Sequence, residues 1–334
     1  MAATTPGATR RADPRADPRL REIDLEHERI WTSAWVCAGI GAQIPAPGDL
    51  LPVTAGHHGL HVQREPGGTL RAAFNVLQQG SCWTIPAQCG NGHKTRCPYV
   101  SCGHARDTDA LSAEHGEPTK AMRQFIGFNP LKLVAVDVTE VGPLIFVCVG
   151  EPPSLLAQLG PLGSPDALRG FEGLGAAARW RTELGCNWKQ AADALFVALG
   201  APRDSGRPVE RIDPAQPLPG TGARHRELWR RGAAAGLPGR GDHDGATLYR
   251  AFPNVVLALL PNHAATLVIK PIALDAVEVM VGLFAGAGRD QRPDEEAVAA
   301  CGAGWTEVLA AARGRGAGLG ASAERAAAGA RAAG

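Results

Sequence analysis

The chain has 334 residues, 45% of them hydrophobic, which is enough for about two domains with cores of their own. Lys and Arg number 34 against 33 Asp and Glu, so the formal charge of +1 gives no bulk field toward nucleic acid or an acidic membrane surface. Arginine far outnumbers lysine beside 42 glycines, a GC-rich coding skew in which arginine content alone argues for no function.

The first residues, MAATTPGATRRADPRADPRLRE, have no apolar core of the secretory kind, and they read as a disordered tail with a repeated RADP. The longest apolar run, Val255 to Leu260, is far too short to cross a bilayer. A cytoplasmic protein is expected. From Ile23 the pattern turns helical through Leu25, Ile30, Trp31 and Trp35, with Asp24 as N-cap, and leads into a first strand. GLHVQRE, TLRAAFNVL, LKLVAVDV and PLIFVCVG then read as strands of an antiparallel sheet. Between the second and third of these lies a knot holding four of the eight cysteines, Cys82, Cys89, Cys97 and Cys102. One dense knot in a large chain marks a metal site or its remnant more than a disulfide framework.

The second half opens with ARWRTELGCNWKQAADALFVALG, a strand running into an amphipathic helix with Trp188, Ala192, Leu195 and Leu199 on one face. Residues 201–245 are rich in Pro, Gly and Arg and read as one long loop, either a functional lid or simple disorder. Strands return in TLYRAFPNVVLALLPN, AATLVIKPIAL and AVEVMVGLFAG, followed by a helix from about Pro293 to Arg313 and a low-complexity Ala/Gly-rich tail that is not expected to pack.

Several of these stretches together resemble the large (alpha) subunits of Rieske-type non-haem iron oxygenases, in the branch of choline and betaine monooxygenases. FNVLQQGS at 74–81 stands in the place of the family's asparagine-valine-Cys-x-His-arginine-glycine turn, and CGNGHKTRCPYV at 89–100 in that of its Cys-Pro-Tyr-His segment. LKLVAVDVTEVGPLIFVCVGEPPSLLAQLGPL, CNWKQAADALF and FPNVVLALLPNHAATLVIKPIAL follow in the family's order. The resemblance implies an α+β fold. An all-β Rieske-like domain at 23–165 would precede a helix-grip (START-like) α+β catalytic-type domain at 166–312, with the loop at 201–245 and tails at 1–22 and 313–334.

The ligand positions depart from the family. A Rieske cluster takes two cysteines and two histidines, and these positions fall on Leu77, Gln79, Cys97 and Val100. A mononuclear oxygenase iron takes two histidines and a carboxylate, and these fall on Gly200, Ser205 and Gly304. The acidic residue that carries electrons between neighbouring subunits falls on Val197, and Asp193 and Asp204 alone cannot rebuild the triad. One cluster ligand of four and no iron ligand remain, so no catalytic residue is assigned and neither a 2Fe-2S cluster nor Fe(II) is expected.

The knot offers Cys82, Cys89, His93, Cys97, Cys102 and His104 as zinc ligands, against inert thiols. His57, His58 and His61 are expected to be exposed, His263 to sit at a turn, and a new iron site from His225, His243 and Asp242 or Asp244 is weighed against a solvated loop. RHRELWRR at 224–231 reads as a solvated amphipathic turn, and the seven tryptophans as core or subunit contacts.

The expectation is a pseudo-oxygenase. It would be a partner of an intact Rieske oxygenase subunit in a trimeric or hexameric assembly, or a binder of a small apolar ligand. The alternative is an active oxygenase, hydroxylating or demethylating a small organic substrate, with relocated ligands.

Overall fold

The computed structural model describes residues 21–22, 25–56, 58–74, 110–113, 133–202, 208–212, 223–234, 237, 245–286 and 295–332. The cysteine knot, most of the N-terminal tail and much of 201–245 lie outside them, and no side chain beyond Gly314 is described. Among the described residues no helix is long and apolar enough to cross a membrane.

A π-helical turn, His27–Trp31, leads into the first sheet. Its strands are β1 (Val36–Ile40), β2 (Leu50–Ala55), β3 (His58–Arg64), β4 (Leu70–Phe74), β5 (Ala135–Val141) and β6 (Leu144–Cys148). They pair antiparallel in the order β1-β6-β5-β4-β3-β2. Gly142, at φ +58°, turns β5 into β6 with Pro143 beside it, a conformation that suits glycine. Two short helices, α1 (Leu155–Leu159) and α2 (Pro165–Arg169), then carry the chain across to the second sheet.

The second sheet comprises β7 (Leu174–Leu184), β8 (Val209–Ile212), β9 (Ala246–Ala251), β10 (Val255–Leu259), β11 (His263–Ala273) and β12 (Ala276–Gly286). Its order, β7-β12-β11-β10-β9-β8, is likewise antiparallel throughout. Three helices accompany it: α3 (Trp188–Ala198), α4 (Ala223–Ala234) and α5 (Glu295–Ala332). Asn187 starts α3 by accepting from the Lys189 N–H at 2.9 Å, while Gln190 accepts from the Asn187 N–H.

The central strands of this sheet, β10–β12, are buried on both faces. Val256, Ala258, Leu267, Val279 and Leu283 pack against Leu195, Trp305 and Val308 of the helices. Val255, Leu257, Val268, Met280 and Phe284 pack against Ile40 and Phe146 of the first sheet and against Trp35 just before it. Each such Val, Leu, Ile, Phe or Met side chain, fully removed from water, contributes about 1.5–3 kcal/mol. Double coverage is why β10–β12 read as nearly unbroken apolar runs instead of alternating ones.

Four features differ from the sequence reading. The segment 201–245 is not one loop but carries β8 and α4. Its helical period is faint because Leu228 is the one large apolar side chain that α4 is seen to bury among those described. Helix α5 runs past Arg313 to Ala332, since alanine favours helix and no proline interrupts it, although burial among the described side chains ends at Ala312. His61 is 1% exposed, because Leu111, Ala113 and Leu133 cover the outer face of β2–β4. His58 is half-buried and meets Phe74 edge-on at 5.4 Å.

Candidate functional site

Of the positions where the resemblance puts metal ligands, Gly200, Gly304 and the bridging Val197 are described. Leu77, Gln79, Cys97, Val100, Ser205 and the zinc set Cys82, Cys89, His93, Cys102 and His104 lie outside the described residues. So do His57, His243, Asp242 and Asp244, along with the side chain of His225.

Gly200 ends α3. Its N–H bonds to the Val197 carbonyl (3.0 Å) and the Ala201 N–H to the Phe196 carbonyl (3.1 Å), the paired bonds of a Schellman stop. Its φ of +109° is a conformation that L side chains rarely adopt. Gly304 lies where α4 crosses α5, and a Cβ there would come within 2.8 Å of Leu228 Cδ2 and 3.4 Å of Arg231 Cδ. Neither residue has a donor side chain, and the fold gives each glycine a job of its own. Val197 is a half-buried aliphatic, and Asp193, one turn earlier, is ion-paired with Arg250. This donor set does not fit a two-histidine, one-carboxylate iron.

The described cysteines do not replace it. Cys37, Cys148, Cys186 and Cys301 are all buried, and burial pushes the thiols of Cys37 up to about 12 and of Cys301 up to about 11. Both stay protonated near neutral pH, whereas metals bind thiolate. Among the described residues no three His, Cys, Asp or Glu side chains converge on a possible metal position.

The same region holds a polar chain that the sequence did not reveal. His263 opens β11 directly after the expected turn, where its carbonyl accepts from the Leu260 N–H at 2.9 Å, and it is fully buried. Trp305 Nε1 of α5 donates to its Nε2 at 3.1 Å, and its Nδ1 stands 2.7 Å from Asn262 Oδ1. Indole nitrogen is only a donor, so Nε2 accepts and Nδ1 carries the proton given to Asn262. Burial lowers the imidazole to about 4, which keeps it neutral. The sole signal in the sequence is a histidine at the head of an apolar strand.

Two further clusters join elements distant in sequence. Arg231 of α4 donates to Glu307 of α5 twice (2.9 and 3.1 Å) and to Glu227 once (2.9 Å). At the seam between the sheets, Asn254 accepts from the Cys37 N–H and donates to the Cys37 carbonyl, both at 2.9 Å. Gln158 pairs in the same way with Trp35 and also donates to the Phe252 carbonyl. Of the tryptophans expected in the core, Trp31, Trp35, Trp188 and Trp305 are buried and Trp180 is partly so, while Trp31 meets Trp188 edge-on at 5.2 Å.

Two antiparallel six-stranded sheets in succession, the second carrying helices on its far face, define an α+β fold shared with solved Rieske oxygenases. The chain is a homologue of the alpha, or oxygenase, subunits of Rieske-type oxygenases. It is 30% identical over 176 residues to the glycine betaine monooxygenase oxygenase subunit of Chromohalobacter salexigens, covering 52% of this chain and 38% of that protein. To the alpha subunit of biphenyl 2,3-dioxygenase of Rhodococcus jostii it is 26% identical over 270 residues, covering 75% and 54%. The chain thus spans about half or less of the length of the curated relatives it matches. Among solved structures, the quaternary ammonium Rieske monooxygenase CntA with gamma-butyrobetaine has a TM-score of 0.52 at 16% identity, covering 89% of this chain and 81% of that one. Naphthalene 1,2-dioxygenase of Rhodococcus sp. has 0.51 at 20% identity, covering 90% and 81%. No protein-family model matches the chain.

Proposed function

We propose that this chain is a non-catalytic homologue of a Rieske oxygenase alpha subunit, a pseudo-oxygenase that serves as a structural or regulatory partner of an intact oxygenase subunit in a trimeric or hexameric assembly. One observation carries the reading. The positions aligned with two iron ligands are glycines, one fixed by a helix stop and the other by a helix crossing. A site that loses most of its donors loses the coordination chemistry itself. With no route for electrons to oxygen, the retained fold is the part left to select for, and in this family the fold presents subunit surfaces. Close packing of α3 and α5 on the second sheet supports a partner role over the enclosure of a small apolar ligand between those helices and the sheet, because Leu195, Leu267, Val279 and Trp305 are all fully buried there.

Anaerobic purification followed by iron, sulfide and zinc analysis and visible spectroscopy tests the proposal. The expected protein has neither cluster absorbance nor iron, and it co-purifies with its nearest intact homologue when the two are co-expressed. About two cluster irons and about one mononuclear iron per chain, with oxygen consumption alongside a reductase, would establish the active alternative and overturn this reading. One zinc per chain, removed by chelation with loss of structure, would assign the cysteine knot to a structural metal.

A further inference from the structure

Helix α4 is held differently from the other long helices. Helix α3 lies on α5 and on β9, β10, β11 and β12, whereas α4 packs chiefly on α5. Among its described side chains only Leu228 is an apolar anchor, at 1% exposure. The ion pair of Arg231 with Glu307 forms the outer tie to α5, with Glu227 bracing Arg231 from within α4, and the carboxylate side chains of Glu227 and Glu307 are 48% and 62% exposed. Exposed pairs of this sort are weak and screened by salt.

The inner tie is steric. Gly232 lets α4 close on Asn262, because a Cβ at 232 would stand 2.5 Å from Asn262 Nδ2. That amide cannot easily swing away, since its Oδ1 is engaged by His263 at 2.7 Å. Under the helix lies a groove lined by Glu227, Leu228, Gly304, Glu307, Val308 and Ala311.

We infer that α4 is a lid that swings off α5 as a unit while the second sheet stays folded, uncovering the apolar strip of Gly304, Val308 and Ala311 to small apolar molecules. Among the described side chains, opening breaks the Leu228 contact and the Arg231–Glu307 pair, while buried Leu237, whose N–H bonds to the Gly232 carbonyl at 2.9 Å, anchors the C-terminal end; no strand pairing among the described residues is broken. Segments with few apolar anchors and solvent-exposed ties are the ones that open below the global unfolding free energy. The lid does not depend on whether the chain is catalytic.

Amide hydrogen exchange on the full chain, read by mass spectrometry, tests it. Raising NaCl from about 0.01 M to about 1 M shortens the screening length from ~30 Å to ~3 Å. Peptides over 223–234 should then exchange about fivefold faster, as they should in Arg231→Ala, while β10–β12 keep their rates. Gly232→Ala, unable to close on Asn262, should exchange faster still at α4 and enhance the fluorescence of anilinonaphthalene sulfonate at low salt. If α4 exchange is indifferent to salt, or α4 and β10–β12 lose protection in step in the wild-type chain, α4 is an integral part of the core and the lid is refuted.

Discussion

Acid should loosen the helical face of the second sheet through a single side chain, His263. Its Nε2 accepts from Trp305 and its Nδ1–H serves Asn262, so an added proton would set two N–H donors against each other. Burial lowers its pKa from 6.5 to about 4. The unfolded chain therefore takes up a proton below pH 6.5 that the folded chain refuses until about pH 4. The stability from the neutral ring is complete above 6.5, falls as the pH drops from 6.5 toward 4, and levels off below. With about 1.36 kcal/mol for each pH unit separating the folded and unfolded pKa, the full loss is on the order of 3 kcal/mol, of which about 2 kcal/mol falls between about pH 7 and about pH 4.5. Urea unfolding of the wild type and of His263→Gln at the two pH values isolates it, because the other titrating groups cancel in the difference. The variant should be less stable at neutral pH and lose about 2 kcal/mol less than the wild type on acidification. Equal losses would refute the assignment of a buried neutral imidazole.

Trp305→Phe should cost about 2–4 kcal/mol in the same assay, since it leaves the His263 acceptor unpaired and opens space in a filled core. Asn254→Ala strips the partners from a buried N–H and carbonyl at Cys37. A loss of about 2–4 kcal/mol at the seam between the sheets is expected, and denaturant midpoints check it. Gly304→Asp restores the family's carboxylate in name only. It drives a Cβ against Leu228, so a cost of about 1–3 kcal/mol and no gain of iron in metal analysis are expected, and stoichiometric iron would show that the remaining donors do suffice. Gly200→His should cost about 1–3 kcal/mol in thermal unfolding by forcing a residue with a Cβ to positive φ.

Much of the fold was legible because hydrophobic period is local information. Alternation and β-branched runs located β3, β4, β6 and β10–β12, and the Trp188–Leu199 stripe located α3. What escaped were short or polar elements whose stability comes from elsewhere. Helix α4 has a faint stripe, β8 pairs with β9 at a sheet edge, and the Asn254 and Gln158 seam joins positions more than a hundred residues apart. The burial of His61 and His263 was equally invisible, because a lone histidine on an apolar strand carries no mark of which face will be covered.

By itself the sequence determined the order of most elements, the neutral charge and the residue types at the positions that the resemblance assigns to ligands, since the side chain of a glycine or leucine offers no donor atom in any fold. Tertiary structure alone decided what Gly200 and Gly304 do in the fold. A helix stop at Gly200 and a helix crossing at Gly304 are constraints of backbone conformation and distance, set by neighbours remote in the chain, which no local pattern of residues encodes.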